Sequence, residues 1–530
     1  MTAPYARLVH DVVIVGAGAA GCVLASRLTE DPDTSVLLIE AGLPERKLET
    51  RIPAAFSRLY RTDVDWGYST VPQAELDGRE IVFPLGRVLG GSTAINAMMV
   101  LRGHRADYDA WEASGCPGWT WADVEPLFAR SAAGPFPLAE LPDRHRLTRA
   151  FVDSAQAEGL RFNADLNSGV NDGVGFVPVS QRRGRRFGVA RGYLRPAKRR
   201  PNLTVLTAAR ATRLLVEGGR AVGVSYRLGG SEEATALAER EVVLSAGAIG
   251  TPHLLQLSGI GPRAALEAVG VDVVHDLPGV GSGLVDHLAN GLLVLTQGVE
   301  TLASAESLRN LLRWALRGRG PLTSNVGESV AFVRTDPALR SPDLELLFAP
   351  VLFEEEGLQR PTEHGLTIGV IALKPRSVGS VRLRSSDPLE PPAIDPRYLT
   401  DAEGRDVATL LHGLRLARRI LARAPLADYV SRELLPGSEA ESDAELSAHV
   451  RALSQTLYHP AGTCRMGTDA TAVVDAELRV RGIPGLRVVD TSVVPLLPSG
   501  HTNWPTVMIA ERAADLMRAA RVASGRSEPV

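Results

Sequence analysis

Residues 12–15 and 36–39 are unbroken apolar runs, the pattern of parallel strands covered on both faces rather than of strands with one wet side. Between them a glycine turn leads into a helical stretch over 22–28, so the first forty residues read as one βαβ unit. The block 83–101 holds too much glycine for a simple helix. Farther on, 241–245 reads as a short strand, followed by a helix over 252–257 that ends at Gly259. From about residue 292 to 453 the texture changes. Strands at 330–333, 344–348, 366–373 and 380–383 predict a second, mostly antiparallel sheet, accompanied by a helix over 405–424. The chain then returns to a strand at 486–489 and an amphipathic helix at 506–518, with no internal repeat along the way.

At 530 residues the chain exceeds what one hydrophobic core organises, so two domains are expected. With 45% hydrophobic and 22% charged residues and a formal net charge of -3, nothing global recruits nucleic acid or an anionic membrane. The local cluster Arg182, Arg183, Arg185 and Arg186 reads as a solvated loop. Cys22, Cys116 and Cys464 are far apart and show neither a disulfide pattern nor metal-ligand spacing, so no metal is predicted. The amino terminus runs into a strand rather than a targeting segment, and no stretch approaches the ~20 apolar residues of a membrane span. A cytoplasmic protein is therefore expected.

The glycine turn is Gly16-Ala17-Gly18-Ala19-Ala20-Gly21, placed after a strand and opening a helix. That context makes it a dinucleotide-binding motif: Gly16 for the tight turn, Gly18 for approach of backbone amides to a pyrophosphate, Gly21 for close helix packing. The helix N-terminus adds the positive end of its dipole. Glu40 closes the second strand 19 residues after Gly21, where a carboxylate can accept from both ribose hydroxyls. These residues suit NAD and FAD equally.

Downstream segments separate the two. Residues 86–96 (GRVLGGSTAIN) and 247–261 (GAIGTPHLLQLSGIG) resemble the two signatures of the glucose-methanol-choline (GMC) oxidoreductases. Asp65-Trp66-Gly67-Tyr68, the run 190–196, the segment 458–467 (YHPAGTCRMG) and the tail from His501 (HTNWPTVMIAE) resemble the same family, in family order. The resemblance implies an α/β fold: a Rossmann-like FAD-binding domain from 1–155, 201–290 and 451–530, interleaved with an α+β substrate domain from 156–200 and 291–450 built on a mostly antiparallel sheet. It implies FAD contacts at Gly16, Gly18, Ala19, Ala20, Gly21, Glu40 and Ala41, and at Trp66, Arg87, Gly91, Ser92, Asn96, Ala97 and Met98. It adds Ala211, Ala246, Asp490, Thr491, Asn503, Pro505 and Thr506. In some relatives a histidine before the asparagine of the first signature links covalently to the flavin; Ile95 stands there, which implies dissociable FAD.

By the same resemblance His459 and His501 face the flavin. An imidazole near its ordinary pKa of ~6.5 suits removal of a hydroxyl proton while the α-hydride leaves for flavin N5. The expected reaction is oxidation of a primary or secondary alcohol to the carbonyl, with His459 as base, His501 as hydrogen-bonding partner, and oxygen, a quinone or a protein carrier as electron acceptor. Relatives that cleave cyanohydrins or photodecarboxylate fatty acids are the alternative. The substrate itself is not named by the sequence: Asn325-Val326-Gly327-Glu328 resembles the start of a specificity segment, with Glu328 expected as a solvated carboxylate, and 5% aromatics supply an aromatic cage for choline poorly.

Overall fold

The structure, a computed structural model, describes residues 7–229 and 233–525; the first six residues, on which part of the amino-terminal reading rests, lie outside the described residues. Strands Arg7–Val15 and Val36–Ile39 pair in parallel, and Leu203–Leu206 and Glu233–Leu244 extend the parallel sheet on either side. The long strand Glu233–Leu244 has two roles. Its first half pairs antiparallel with Arg220–Leu228, which in turn pairs with Ala209–Glu217, while its last three residues take Leu486–Val488 in parallel. Helix Ala19–Leu28 covers this sheet, and the carboxyl-terminal helix Asn503–Gly525 lies against it. The buried Glu511 carboxylate locks the two helices together, accepting from Arg27 Nε at 2.9 Å and Tyr193 Oη at 2.7 Å.

The second sheet is antiparallel throughout, in the order 430–435, 288–296, 365–372, 344–349, 329–333 and 173–176, with Gln455–Thr456 on the outer edge of 288–296. One face packs on helices Arg146–Ala157, Arg405–Leu421 and Asp443–Leu453 through Leu288, Leu292, Leu346, Ile368, Phe151 and Leu414. The other faces the first sheet across Met99, Leu101, Val330 and Ile371. Among the described residues no helix is long and apolar enough to cross a membrane.

Three elements differ from the pattern-based reading. The strand expected at 380–383, observed as Gly379–Arg382, does not join the second sheet; it pairs with Ser282–Leu284 and Ala393–Asp395 in a small separate sheet. Periodicity identifies a strand but not its partner. The helix expected from 252 starts at Gly247, with Pro252 inside it. Pro252 has no N–H for the carbonyl of Ala248, and the Thr463 hydroxyl donates to that oxygen instead at 2.6 Å, which satisfies the carbonyl the proline leaves open. The last helix likewise begins at Asn503 rather than 506, because a proline at 505 is tolerated in a first turn.

Candidate active site

A cavity of about 580 Å³ lies where the carboxyl ends of the parallel strands meet the inner face of the second sheet. One end is built from backbone. A Cβ at Gly21 would stand 1.9 Å from the Gly16 carbonyl oxygen, so only glycine lets the first helix start this close to its strand. Gly91, at φ +52°, lies against Gly18 so closely that a Cβ would be 2.7 Å from the Gly18 Cα. The helix that starts at Ala19 has no side-chain cap, which leaves its first amides and the positive end of its dipole for an anion.

Glu40 stands at the neighbouring strand end. Its two oxygens accept from the amides of Ala17 and Gly42, each at 2.8 Å. Burial pushes this carboxyl up to about 7 against those amide bonds. Among the described residues Ser245 Oγ and Asn503 Nδ2 are buried without a hydrogen-bond partner, and both residues line the cavity. Orphaned polar atoms and an open helix N-terminus, with a strand-end carboxylate as acceptor and glycine backing, form a set of groups suited to a dinucleotide.

The opposite end is built from imidazoles and carboxylates carried by distant segments. Nε2 of His287 lies 3.1 Å from the carbonyl oxygen of Leu373, and Nδ1 of His287 lies 2.9 Å from Nδ1 of His459. A carbonyl only accepts, so His287 carries its proton on Nε2. Burial, with His501 and Lys374 nearby, pushes His287 down to about 3, which keeps the ring neutral and its Nδ1 an acceptor. His459 must then donate from Nδ1, and Nε2 is its lone-pair nitrogen. Burial, reinforced by the His501 and His287 rings, holds His459 well below the ordinary histidine range.

The backbone of His459 is fixed as well. Its N–H donates to Asp286 Oδ1 at 2.8 Å, and the other Asp286 oxygen accepts from the hydroxyls of Tyr398 and Thr456. Burial raises the Asp286 carboxyl to about 6. The His501 ring stands edge-on to that of His459, centroids 4.7 Å apart, and its Nε2 meets Oε1 of the fully buried Glu345 at 3.1 Å. Oε2 of Glu345 is buried with no hydrogen-bond partner among the described residues.

Of the residues singled out by the sequence, His459, His501 and all but three of the cofactor set line this one cavity. Gly21, Arg87 and Pro505 do not. Gly21 serves packing, the exposed Arg87 guanidinium lies 5.3 Å over the Trp66 ring, and Pro505 is buried in the first helical turn. The Asp490 carboxylate reaches the cavity wall but is fully engaged by the protein: one oxygen accepts from Gly247 N and Thr251 Oγ1, the other from Ser492.

Two solvated readings are corrected. Arg186 is buried, and its guanidinium donates to the carbonyls of Thr50 and Thr93 and to Asn96 Oδ1, bracing the segment that follows Gly91. Glu328 is also buried, accepting from His145 N, Thr148 Oγ1 and Ser324 Oγ at 2.6–2.8 Å, and it faces neither solvent nor cavity. The aromatic supply, thin on average, is concentrated locally. Phe56, Tyr60, Phe353 and Tyr458 line the cavity with ring centroids 5.5–6.1 Å apart. Asp286, His287 and Glu345 join the site although no motif in the sequence singles them out.

Residues 10–289 and 375–510 match the two models of the GMC oxidoreductases. The chain is 46% identical over 525 residues to an uncharacterised GMC-type oxidoreductase of Mycobacterium tuberculosis, covering 96% of this chain and 99% of the relative. An alcohol dehydrogenase [acceptor] of Pseudomonas putida is 39% identical over 528 residues, covering 96% and 95% of the two chains. Pyridoxine 4-oxidase from Mesorbium loti superposes with a TM-score of 0.88 at 34% identity, over 96% of this chain and 99% of that one. The protein that builds this cavity belongs to the FAD-dependent GMC oxidoreductase family.

Proposed function

We propose that the chain oxidises a primary or secondary alcohol to the carbonyl, with His459 as the base and with FAD held non-covalently at the glycine-backed end of the cavity. The observation that carries this reading is the hydrogen-bond chain from Leu373 through His287 to His459. It delivers a neutral imidazole with its Nε2 lone pair on a ring that lines the cavity. Bound FAD supplies the acceptor for the hydride that leaves the carbinol carbon.

The protein's own work is positional and protonic. Nε2 of His459 takes the hydroxyl proton, and Asp286 holds the ring at a fixed height through the backbone. His501 holds the substrate oxygen, its ring oriented by the contact of Nε2 with the Glu345 carboxylate. The apolar surroundings that depress the pKa of His459 keep it unprotonated at neutral pH. Gly16, Gly18, Glu40, Gly91, Ser245 and Asn503 would hold the cofactor, and Ile95 offers no nucleophile for a covalent link.

The test is anaerobic mixing of the purified yellow protein with primary alcohols in the dark. Bleaching of the flavin supports the reading, and a spectrum that stays unchanged across aliphatic, aryl and amino alcohols overturns it in favour of non-redox or light-driven chemistry. Peroxide release against dye reduction then assigns oxygen, a quinone or a protein carrier as the acceptor.

A further inference from the structure

Strands 288–296, 365–372 and 344–349 lie side by side, and directly paired residues share a face. On the face turned toward the first sheet, the register sets three rows: Ala289, Ile371 and Glu345; then Gly291, Gly369 and Leu347; then Leu293, Thr367 and Ala349. The first row is anchored at the catalytic end, because Glu345 holds His501. Rows two residues apart are separated by about 6.6–6.8 Å, so the third lies about 13 Å farther out. Apart from Glu345, every one of these residues lines the cavity.

The middle row is cut to the backbone at Gly291 and Gly369, beside the side chain of Leu347; at Gly291 a Cβ would stand 2.7 Å from the Ile368 carbonyl oxygen, so close packing requires glycine there. A Cβ at Gly369 would meet its nearest neighbour, Leu347, at 3.5 Å, an ordinary contact, and its φ is not positive. Neither crowding nor backbone conformation therefore demands glycine at 369, and the missing side chain keeps open a space the protein itself does not fill. Of the two polar side chains of these rows, that of Thr367 is fully engaged: its hydroxyl donates to Val351 O at 2.8 Å and accepts from Phe353 N at 2.9 Å. That of Glu345 meets His501 through Oε1 and lies at the catalytic end.

The trough also has an outlet. The outer edge of strand 288–296 is paired at 288–289 and again at 293–296, leaving a gap at Gly291, whose carbonyl accepts from His449 Nε2. Leu435 and Leu453, the latter 44% exposed, line the cavity beside this gap, together with Asn290, His449 and Gln455.

Building on the proposed alcohol oxidation, we infer that the substrate carries an extended, uncharged alkyl chain, its hydroxyl at His459 and His501 and its chain laid over Gly291 and Gly369 toward Leu453. Laid over the second and third rows, a sugar would leave hydroxyls unpaired and a quaternary ammonium would exchange its hydration for aliphatic side chains. An alkyl chain gains from each methylene buried.

The experiment is anaerobic stopped-flow reduction of the holoenzyme flavin by ethanol, butanol, octanol, choline and glucose. Efficiency should climb from ethanol to octanol by up to about fourfold per methylene, the limit for complete burial of a CH2 group. Gly369→Val, which fills the space at Gly369, should lower the octanol-to-ethanol efficiency ratio at least tenfold, and the milder Gly369→Ala should lower it less. Choline or glucose outrunning octanol, no gain with chain length, or a Gly369→Val ratio equal to that of the wild type would each overturn the inference. Flavin that no alcohol reduces would instead remove the alcohol-oxidation reading beneath it.

Discussion

The two ends of the cavity are built by opposite means. Under residues 16–21, 40 and 91–98 the wall is backbone, its shape set by glycines that leave room for another molecule and by one uncapped helix. At the other end the wall is side chain: the imidazoles of His459 and His501, held from behind by Asp286, His287 and Glu345. A ligand recognised by shape and by its phosphates needs amides at fixed spacing, which a short contiguous motif supplies. A proton transfer needs one nitrogen in one tautomer, and that takes partners on several sides of the same ring.

If the ends are separate in function, substitutions should affect them separately. His459→Ala should slow flavin reduction by alcohol by about 10²–10⁴-fold, the range for loss of a positioned base, while the purified protein stays yellow. His287→Ala removes the acceptor that holds the His459 proton on Nδ1. A loss of about 10–100-fold is expected, as for outer partners of functional histidines, again with flavin retained; stopped-flow rates per bound flavin measure both.

Gly91→Ala strikes the other end. A Cβ against Gly18, on a residue at φ +52°, should lower the ratio of flavin to protein absorbance several-fold and reduce the melting temperature. Glu345→Gln keeps the outline of the side chain but removes the charge beside His501, and the rate of flavin reduction should fall about tenfold, or ~1.4 kcal/mol.

The smallest effect expected is on pH dependence. A base whose pKa is depressed is unprotonated above that value and is lost only as the pH falls through it. Since burial holds His459 well below 6.5, the alcohol efficiency of the holoenzyme should change less than about twofold between pH 8 and 6.5 and decline only at more acid pH. A midpoint at or above 6.5 would mean the titrating base is not buried as His459 is.

The same contrast explains what the sequence discloses. Gly16 to Gly21 and Glu40 fall within one βαβ unit, and their dinucleotide chemistry follows from order along the chain, whereas the 86–96 block is legible as a flavin segment through family resemblance. His459 and His501 are legible only through family resemblance. His287 and Glu345 are not, because their roles depend on strand register, which places Glu345 opposite Ile371 and brings residue 287 beside 459. One signal does exist: a carboxylate inside the apolar run LELLFA must be buried with a partner or a purpose. The same reasoning, applied to Glu328 just before SVAFV, replaces the solvated reading with the buried one. Arg186 differs, since nothing local distinguishes it from the exposed Arg182 and Arg183 or the half-buried Arg185.

Histidine-selective ¹⁵N NMR on the holoenzyme at neutral pH reads the decisive proton directly. The hydrogen-bond chain from Leu373 through His287 predicts a protonated, pyrrole-type Nδ1 and an unprotonated, pyridine-type Nε2 on His459, identified by the signal missing from His459→Ala. A proton on Nε2, or on both nitrogens, would contradict it.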